Sequence, residues 1–147
     1  MAASRSLTNA FGLTFHHLGL AVAHQETARA FLEGMGYALG DAVTDTLQNV
    51  TLALCTHPTM PDVELVTPAS TPCHLDKVLE HNPQGTLYHF CYTTQNLDET
   101  LDAIEDAGHR LYCIAPPKPA VLFQLEEVSF YIVEGFGLIE IIDQQQK

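Results

Sequence analysis

Four residues in this chain have side chains that chemistry uses and neighbours that do not want them there. His17 stands in "FHHLGLAV", Glu64 in "VELVTP", His89 in "TLYHFCYTT" and Glu140 in "GLIEIID", each an ionisable group set into an apolar run. Charge on a strand face that wants burial is costly unless it is paired or bound to a metal. Two imidazoles and two carboxylates make a mixed nitrogen and oxygen donor set that suits a borderline divalent ion, and the two negative charges offset the ion's own. Taken singly, each of the four reads as an ordinary strand residue, because half of an antiparallel strand can face water. Their matched places in the chain carry the argument. His16 is expected on the sheet face opposite His17, since strand side chains alternate, so only one of that pair joins the set, and the resemblance given below is what selects His17.

The elements that must position them follow from periodicity and turn residues. Residues 14–22 read as a strand, and residues 25–36 as a helix with Ala28, Phe31, Leu32 and Met35 on one face and Gly36 as its stop. Residues 37–44, 49–57 and 62–68 read as three strands bounded by Gly, Pro, Asp or Asn. A connection over 69–85 carries a short helix with Thr71 as N-cap and Pro72 at its first position. The order then repeats: strand 86–94, a helix over 96–108 capped by Asn96 and Glu99 and stopped by Gly108, and strands at 109–115, 122–133 and 137–143, with "PPKPA" as a loop. Each half is β-α-β-β-β, opens on a strand with a histidine and closes on a strand with a glutamate. The separations are 47 residues (17 to 64) and 51 residues (89 to 140). Two halves related by a pseudo-two-fold axis place equivalent strand positions opposite one another, which brings the four side chains to one point. The expected division is an N-terminal extension over 1–14, one domain over 15–143 (module one 15–68, connection 69–85, module two 86–143) and a tail over 144–147.

Composition narrows the classes. The chain has 147 residues, 46% of them hydrophobic, and a formal charge of −12 with only six Lys and Arg, which repels polyanions and argues against nucleic acid as a partner. No apolar run reaches the ~20 residues that a membrane helix needs, so no membrane partner is expected. The start of the chain lacks a signal-peptide core, and the four cysteines are scattered singly; the expectation is a cytoplasmic protein with reduced thiols. Cys91 shares the face of His89, as a packed residue or a site-lining thiol.

"HHLGLAV", "VELVTP", "GTLYHFCYTTQNLDETLDAIEDAG" and "GLIEII" together resemble the vicinal-oxygen-chelate superfamily of glyoxalases, epimerases, extradiol dioxygenases and bleomycin-resistance proteins, and methylmalonyl-CoA epimerase-like members in particular. The resemblance implies an α+β fold in which two βαβββ modules form a cupped mixed sheet. It implies a divalent metal (Zn, Ni, Co, Mn or Fe) held by His17, Glu64, His89 and Glu140. The small-molecule partner is then a carbonyl or acyl compound, and a homodimer is expected. The implied activity is that of a lyase or isomerase, epimerase-like, in which Glu140 or Glu64 removes a proton next to a carbonyl while the ion holds the enolate. The alternatives are a glyoxalase I-type lactoylglutathione lyase and a non-catalytic binder of the bleomycin-resistance kind. An iron-dependent dioxygenase is a further alternative, which the extra carboxylate of Glu64 would crowd.

One departure bears on mechanism. Epimerases of this superfamily carry E-[QH]-G-V before the third strand, its glutamate a proposed acid/base, whereas this chain reads "LQNV" with Leu47 in that place and Gln48 next. Asp45 substitutes only if the loop is shifted. The "PPKPAV" loop is expected at the rim of the cup.

Overall fold

The computed structural model describes residues 9–145. In chain order the elements are β1 (Thr14–Ala21), α1 (Gln25–Gly34), β2 (Ala38–Leu39), β3 (Val43–Asp45), β4 (Val50–Thr56), β5 (Val63–Pro68), α2 (Asp76–His81), β6 (Thr86–Thr94), α3 (Leu97–Asp106), β7 (Leu111–Pro119), β8 (Glu127–Val133) and β9 (Gly137–Asp143), with a single 3-10 turn (Val121–Phe123) before β8. The strands form one mixed sheet in the order β2-β4-β5-β1-β6-β9-β8-β7, with β3 also on β4. That order is a mirror about the β1/β6 seam. β5 runs parallel to β1, β9 runs parallel to β6, and β1 meets β6 antiparallel.

Helix α1 forms because Ala28 and Leu32 recur on one face, and that face packs on Ala53, Cys55, Val63 and Leu65. Helix α3 starts where Asn96 accepts a hydrogen bond from the backbone N–H of Glu99 (3.1 Å), and its Leu97, Leu101 and Ile104 cover Ile139 and Ile141. Both helices thus take the odd positions of β5 and β9. The even positions, Glu64 with Val66 and Glu140 with Ile142, are left to the other face, where Val66 packs with Leu75, Val78 and Leu79 and Ile142 packs with Ala120, Phe123 and Val128. Strands buried on both faces read as continuous apolar runs, and this is why a glutamate within them stands out.

The structure departs from the sequence reading at several points, among them Phe31, expected on the packed face of α1 and instead 67% exposed. The strand expected over 37–44 is split into β2 and β3 at Gly40, whose N–H bonds to Leu54 O (3.0 Å) and where a Cβ would collide with that same carbonyl. Helix α2 begins at Asp76 rather than at Pro72, after an approach in which the Asp76 carboxylate accepts from Cys73 N–H (2.8 Å). "PPKPA" lies mostly within β7, an edge strand of the sheet, where a proline facing outward costs no ladder partner. The residues before β8 turn instead of extending, through the 3-10 turn and the positive φ angles of Gln124 and Leu125. Residues 1–8 of the expected extension and 146–147 of the tail lie outside the described residues. Phe11 and Leu13 pack with α3, and Thr100 donates to Phe11 O (2.8 Å). Among the described residues no helix is long and apolar enough to cross a membrane.

Candidate metal centre

The four strands that carry the four donor residues are neighbours, β5-β1-β6-β9, so each contributes one side chain to the middle of the sheet. Register aligns them. Gly19 of β1 stands between Glu64 and His89, and Cys91 of β6 stands between His17 and Glu140. His17 Nε2 lies 3.5 Å from Glu64 Oε1, 3.3 Å from Glu140 Oε1 and 3.4 Å from His89 Nε2, and His89 Nε2 lies 3.8 Å and 3.2 Å from the same two oxygens.

These side chains face a common point rather than one another. Glu140 Oε1 is near two imidazole nitrogens yet makes no hydrogen bond, and Glu64 Oε2 and His89 Nδ1 have no partner among the described residues. All four residues are at most 3% exposed, so water does not satisfy them. A buried carboxylate whose hydrogen-bonding capacity is only partly met carries a desolvation cost that a cation would offset. An ion about 2.1 Å from each of four tetrahedral ligands sets those ligands about 3.4 Å apart, and the five separations here run around that value. The donor types, their spacing and their unmet hydrogen-bonding capacity fit a divalent cation.

His16 is where the alternation rule fails. Phe15 pairs with Tyr92 and His17 with Cys91, so His16 is an extra residue on β1, a bulge, and the bulge turns its ring toward the centre instead of the opposite face. His16 Nδ1 sits 2.8 Å from His17 Nδ1. A second shift, between the pairs Gly19/His89 and Leu20/Leu87, makes Tyr88 the extra residue on β6, again directly before a histidine. Phe123 closes the site: its ring stacks on His17 (5.5 Å, 19°) and meets His16 edge-on (5.4 Å, 87°). No periodicity marks Phe123 in the sequence, because it belongs to an isolated turn.

Electrostatics follow from this crowding. Burial opposes a charge on His17, but the contacts with Glu140 and then Glu64 outweigh it and raise its pKa to about 9. Burial likewise pushes the Glu140 carboxyl up, and His17 and His89 more than reverse this, holding it below the usual carboxylate range. His16 is lowered by burial and then by the charge of His17. Burial, followed by the negative charge of Glu140 and Glu64, raises the Cys91 thiol well above its ordinary value, so Cys91 packs beside the centre as an inert thiol.

A chelator-stripped sample should therefore show a pH-dependent stability. A His17 raised from 6.5 to about 9 on folding contributes on the order of 3 kcal/mol. That contribution is complete below pH 6.5 and is lost as pH rises through 9. Urea titrations of stripped protein between pH 6 and 10 measure it; a flat profile over that range would show that His17 does not carry this charge.

Beside the centre is a cavity of about 260 Å³ whose wall includes Leu47, Gln48, Tyr88, Lys118, Val128 and Phe130. It abuts the back of His89, whose ring meets Tyr88 (4.5 Å) and Phe130 (5.5 Å) edge-on. Leu47, 58% exposed, offers no acid or base there. Asp45 does not replace one. It is fully buried and all its hydrogen bonds are structural: Oδ1 accepts from the N–H groups of Leu47 (3.0 Å) and Gln48 (3.2 Å), Oδ2 from Gln48 Nε2 (2.9 Å) and Val121 N–H (3.4 Å). It ties the β3–β4 turn to the turn that carries Phe123. Asp45→Ala is expected to cost about 2–4 kcal/mol by leaving these donors unmet, read as a lower urea midpoint; a loss under about 1 kcal/mol would show that the turn is held by other means. His74, expected on the connecting helix, precedes α2 and lines the same cavity, where burial lowers its pKa.

Comparison with known proteins agrees with this architecture. Over 104 residues the chain is 28% identical to an ethylmalonyl-CoA/methylmalonyl-CoA epimerase of Cereibacter sphaeroides, an alignment covering 70% of this chain and 77% of that protein. The crystal structure of methylmalonyl-CoA epimerase from Mycobacterium tuberculosis superposes with a TM-score of 0.72 at 20% identity, covering 99% of this chain and 94% of that one. A Streptomyces coelicolor methylmalonyl-CoA epimerase variant in complex with 2-nitronate-propionyl-CoA superposes with a TM-score of 0.67 at 17% identity, covering 88% and 95%. At these identities the structural likeness is one of fold. Residues 16–123, from the first histidine of the centre to the phenylalanine that closes it, match the Glyoxalase/Bleomycin resistance protein/Dioxygenase superfamily, and the chain belongs to that superfamily.

Proposed function

We propose that the protein is a metal-dependent isomerase or lyase that removes a proton next to the carbonyl of a small acyl thioester or related compound and returns it from one side. The carrying observation is the convergence of His17, Glu64, His89 and Glu140 on one sealed point with hydrogen-bonding capacity left over. A divalent ion held there by these four side chains would supply Lewis-acid polarisation of the substrate carbonyl, taken as a further ligand. The protein's own groups do the rest. The proton would be taken by a carboxylate oxygen that does not hold the ion, and Glu64 Oε2, which no donor among the described residues reaches, is such an atom. Tyr88, its phenol kept protonated by burial and then by the negative charge of Glu64 and Glu140, walls the cavity against His89 and with Phe130 limits water there.

At about 260 Å³ the cavity is sized for the reacting end of an acyl-CoA rather than for the whole molecule, and Lys118 in its wall offers a cation to the remainder. The acyl-CoA names of the relatives support a thioester as the substrate class. The wall that would carry the second base of a two-base epimerase holds Leu47 and Gln48, and Asp45 behind them is committed to backbone donors. This supports a single-base proton shift, in which the carboxylate that removes the proton delivers it to the adjacent carbon, over two-base inversion.

The test is metal analysis of purified protein followed by incubation of the loaded form with acyl-CoA, 2-oxo and thiohemiacetal compounds in deuterated buffer, read by mass spectrometry. An isomerised product that carries solvent deuterium next to its carbonyl is the expected result. A loaded sample that exchanges nothing across the panel would overturn the enolate chemistry and leave a binding protein.

A further inference from the structure

The two halves of the centre are alike in outline and differ behind the histidines. Each histidine follows a bulge residue whose ring meets its own edge-on: His16 against His17 at 5.0 Å and 78°, Tyr88 against His89 at 4.5 Å and 82°. On β6 the contact is apolar, and His89 Nδ1 is left without a partner among the described residues. On β1 it is polar, nitrogen to nitrogen at 2.8 Å.

A nitrogen–nitrogen approach that short holds one proton between the two rings. The other nitrogen of His17, Nε2, faces Glu64, Glu140 and His89. To offer a lone pair there, a neutral His17 must carry its proton on Nδ1, and among the described residues the acceptor placed for that N–H is His16 Nδ1. A metal-binding imidazole nearly always has such an orienting partner, commonly a carboxylate or carbonyl. Phe123 fixes the arrangement by stacking on one ring and meeting the edge of the other.

We propose that His16 is the positioning residue of the centre: its neutral Nδ1 accepts the Nδ1–H of His17, which locks that ring in the tautomer and orientation that present Nε2 to a cation. This rests on the metal reading above but makes a claim of its own. His16 is not one of the four residues whose donor atoms converge, so it acts on that set through His17. It also explains why the bulge is where it is. A regular strand would send His16 to the far face and leave His17 Nδ1 as bare as His89 Nδ1.

Two leucine-and-amide variants test it. His16→Asn puts Oδ1 close to the place of the imidazole Nδ1 and keeps an acceptor; His16→Leu fills similar space without one. With zinc alone as the probe, measured by chelator competition, His16→Leu should weaken binding about 10- to 100-fold and His16→Asn should stay within about threefold of the parent. In ¹⁵N-histidine-labelled parent protein, a scalar coupling across the N–H···N bond between residues 16 and 17 should be visible by NMR. Equal zinc affinity of His16→Leu and the parent, or absence of that coupling from both the zinc-loaded and the stripped protein, overturns the inference even when zinc binds. A parent that binds no ion while the coupling persists overturns the metal reading instead and leaves the hydrogen-bonded pair standing. Should His16→Leu fail to fold, a His16→Asn protein that binds zinc as the parent does, together with the coupling, supports the proposal, and a His16→Asn protein that loses binding 10-fold overturns it.

Discussion

Glu140→Gln should lose its ion and its chemistry together while remaining folded. The substitution keeps the shape of the side chain but removes one of the two negative charges that a dication needs at a site with no water to share the load. Breaking a buried charge pairing costs about 3–5 kcal/mol, which corresponds to roughly 10²–10⁴ in ion affinity. The stripped protein should weaken as well, though by less. Without the ion, Glu140 is the first contact that keeps His17 charged, so Glu140→Gln should remove part of the roughly 3 kcal/mol that this charge contributes to metal-free stability. The two measurements belong side by side: zinc affinity by chelator competition, and the urea midpoint of stripped protein. A variant that binds zinc within threefold of the parent would remove Glu140 from the ligand set.

Gly19→Ala is expected to be nearly as damaging although it touches no donor atom chemically. Gly19 sits in register with Glu64 on one side and His89 on the other, and a Cβ there would fall within the His89 imidazole. The ring has nowhere to go. His89 is 3% exposed and is bounded by Tyr88 and Phe130. Overpacking of this kind costs about 1–3 kcal/mol in stability, and a donor moved by an ångström is lost to the ion, so affinity should fall by more than about 100-fold. Unchanged zinc affinity in Gly19→Ala would mean that His89 is not held where the structure has it. The glycine of "HHLGLAV" is therefore a matter of clearance, since its backbone is ordinary strand.

Much of this was legible in the residues. Glu64 and Glu140 were conspicuous because β5 and β9 are buried on both faces, so each strand reads as an apolar run with one interruption. The matched order of elements in the two halves announced the seam at β1/β6. The bulges did not show, since an extra residue in a strand leaves no mark in a period-two pattern, and His16 was consequently assigned to the wrong face. Phe123 escaped for a related reason: its place depends on a turn that Asp45 anchors from 76 residues away. Local pattern carries information about faces; clamps made by distant loops lie beyond it. Gly40, Asp76 and the proline-rich edge strand β7 are smaller cases, in which a steric approach, a capping carboxylate and an edge position decided what propensity left open.

The mirrored strand order means that neither half of the polypeptide owns the centre. Residues up to the α2 connection contribute one imidazole and one carboxylate, residues after it the other pair, and the two sets meet only across β1 and β6. A chain cut within 69–85 would yield fragments that are each two donors short, and mixing them would restore ion binding only as fast as the β1/β6 joint re-forms. Reassembly of the halves and recovery of the cation are, for this architecture, one and the same event.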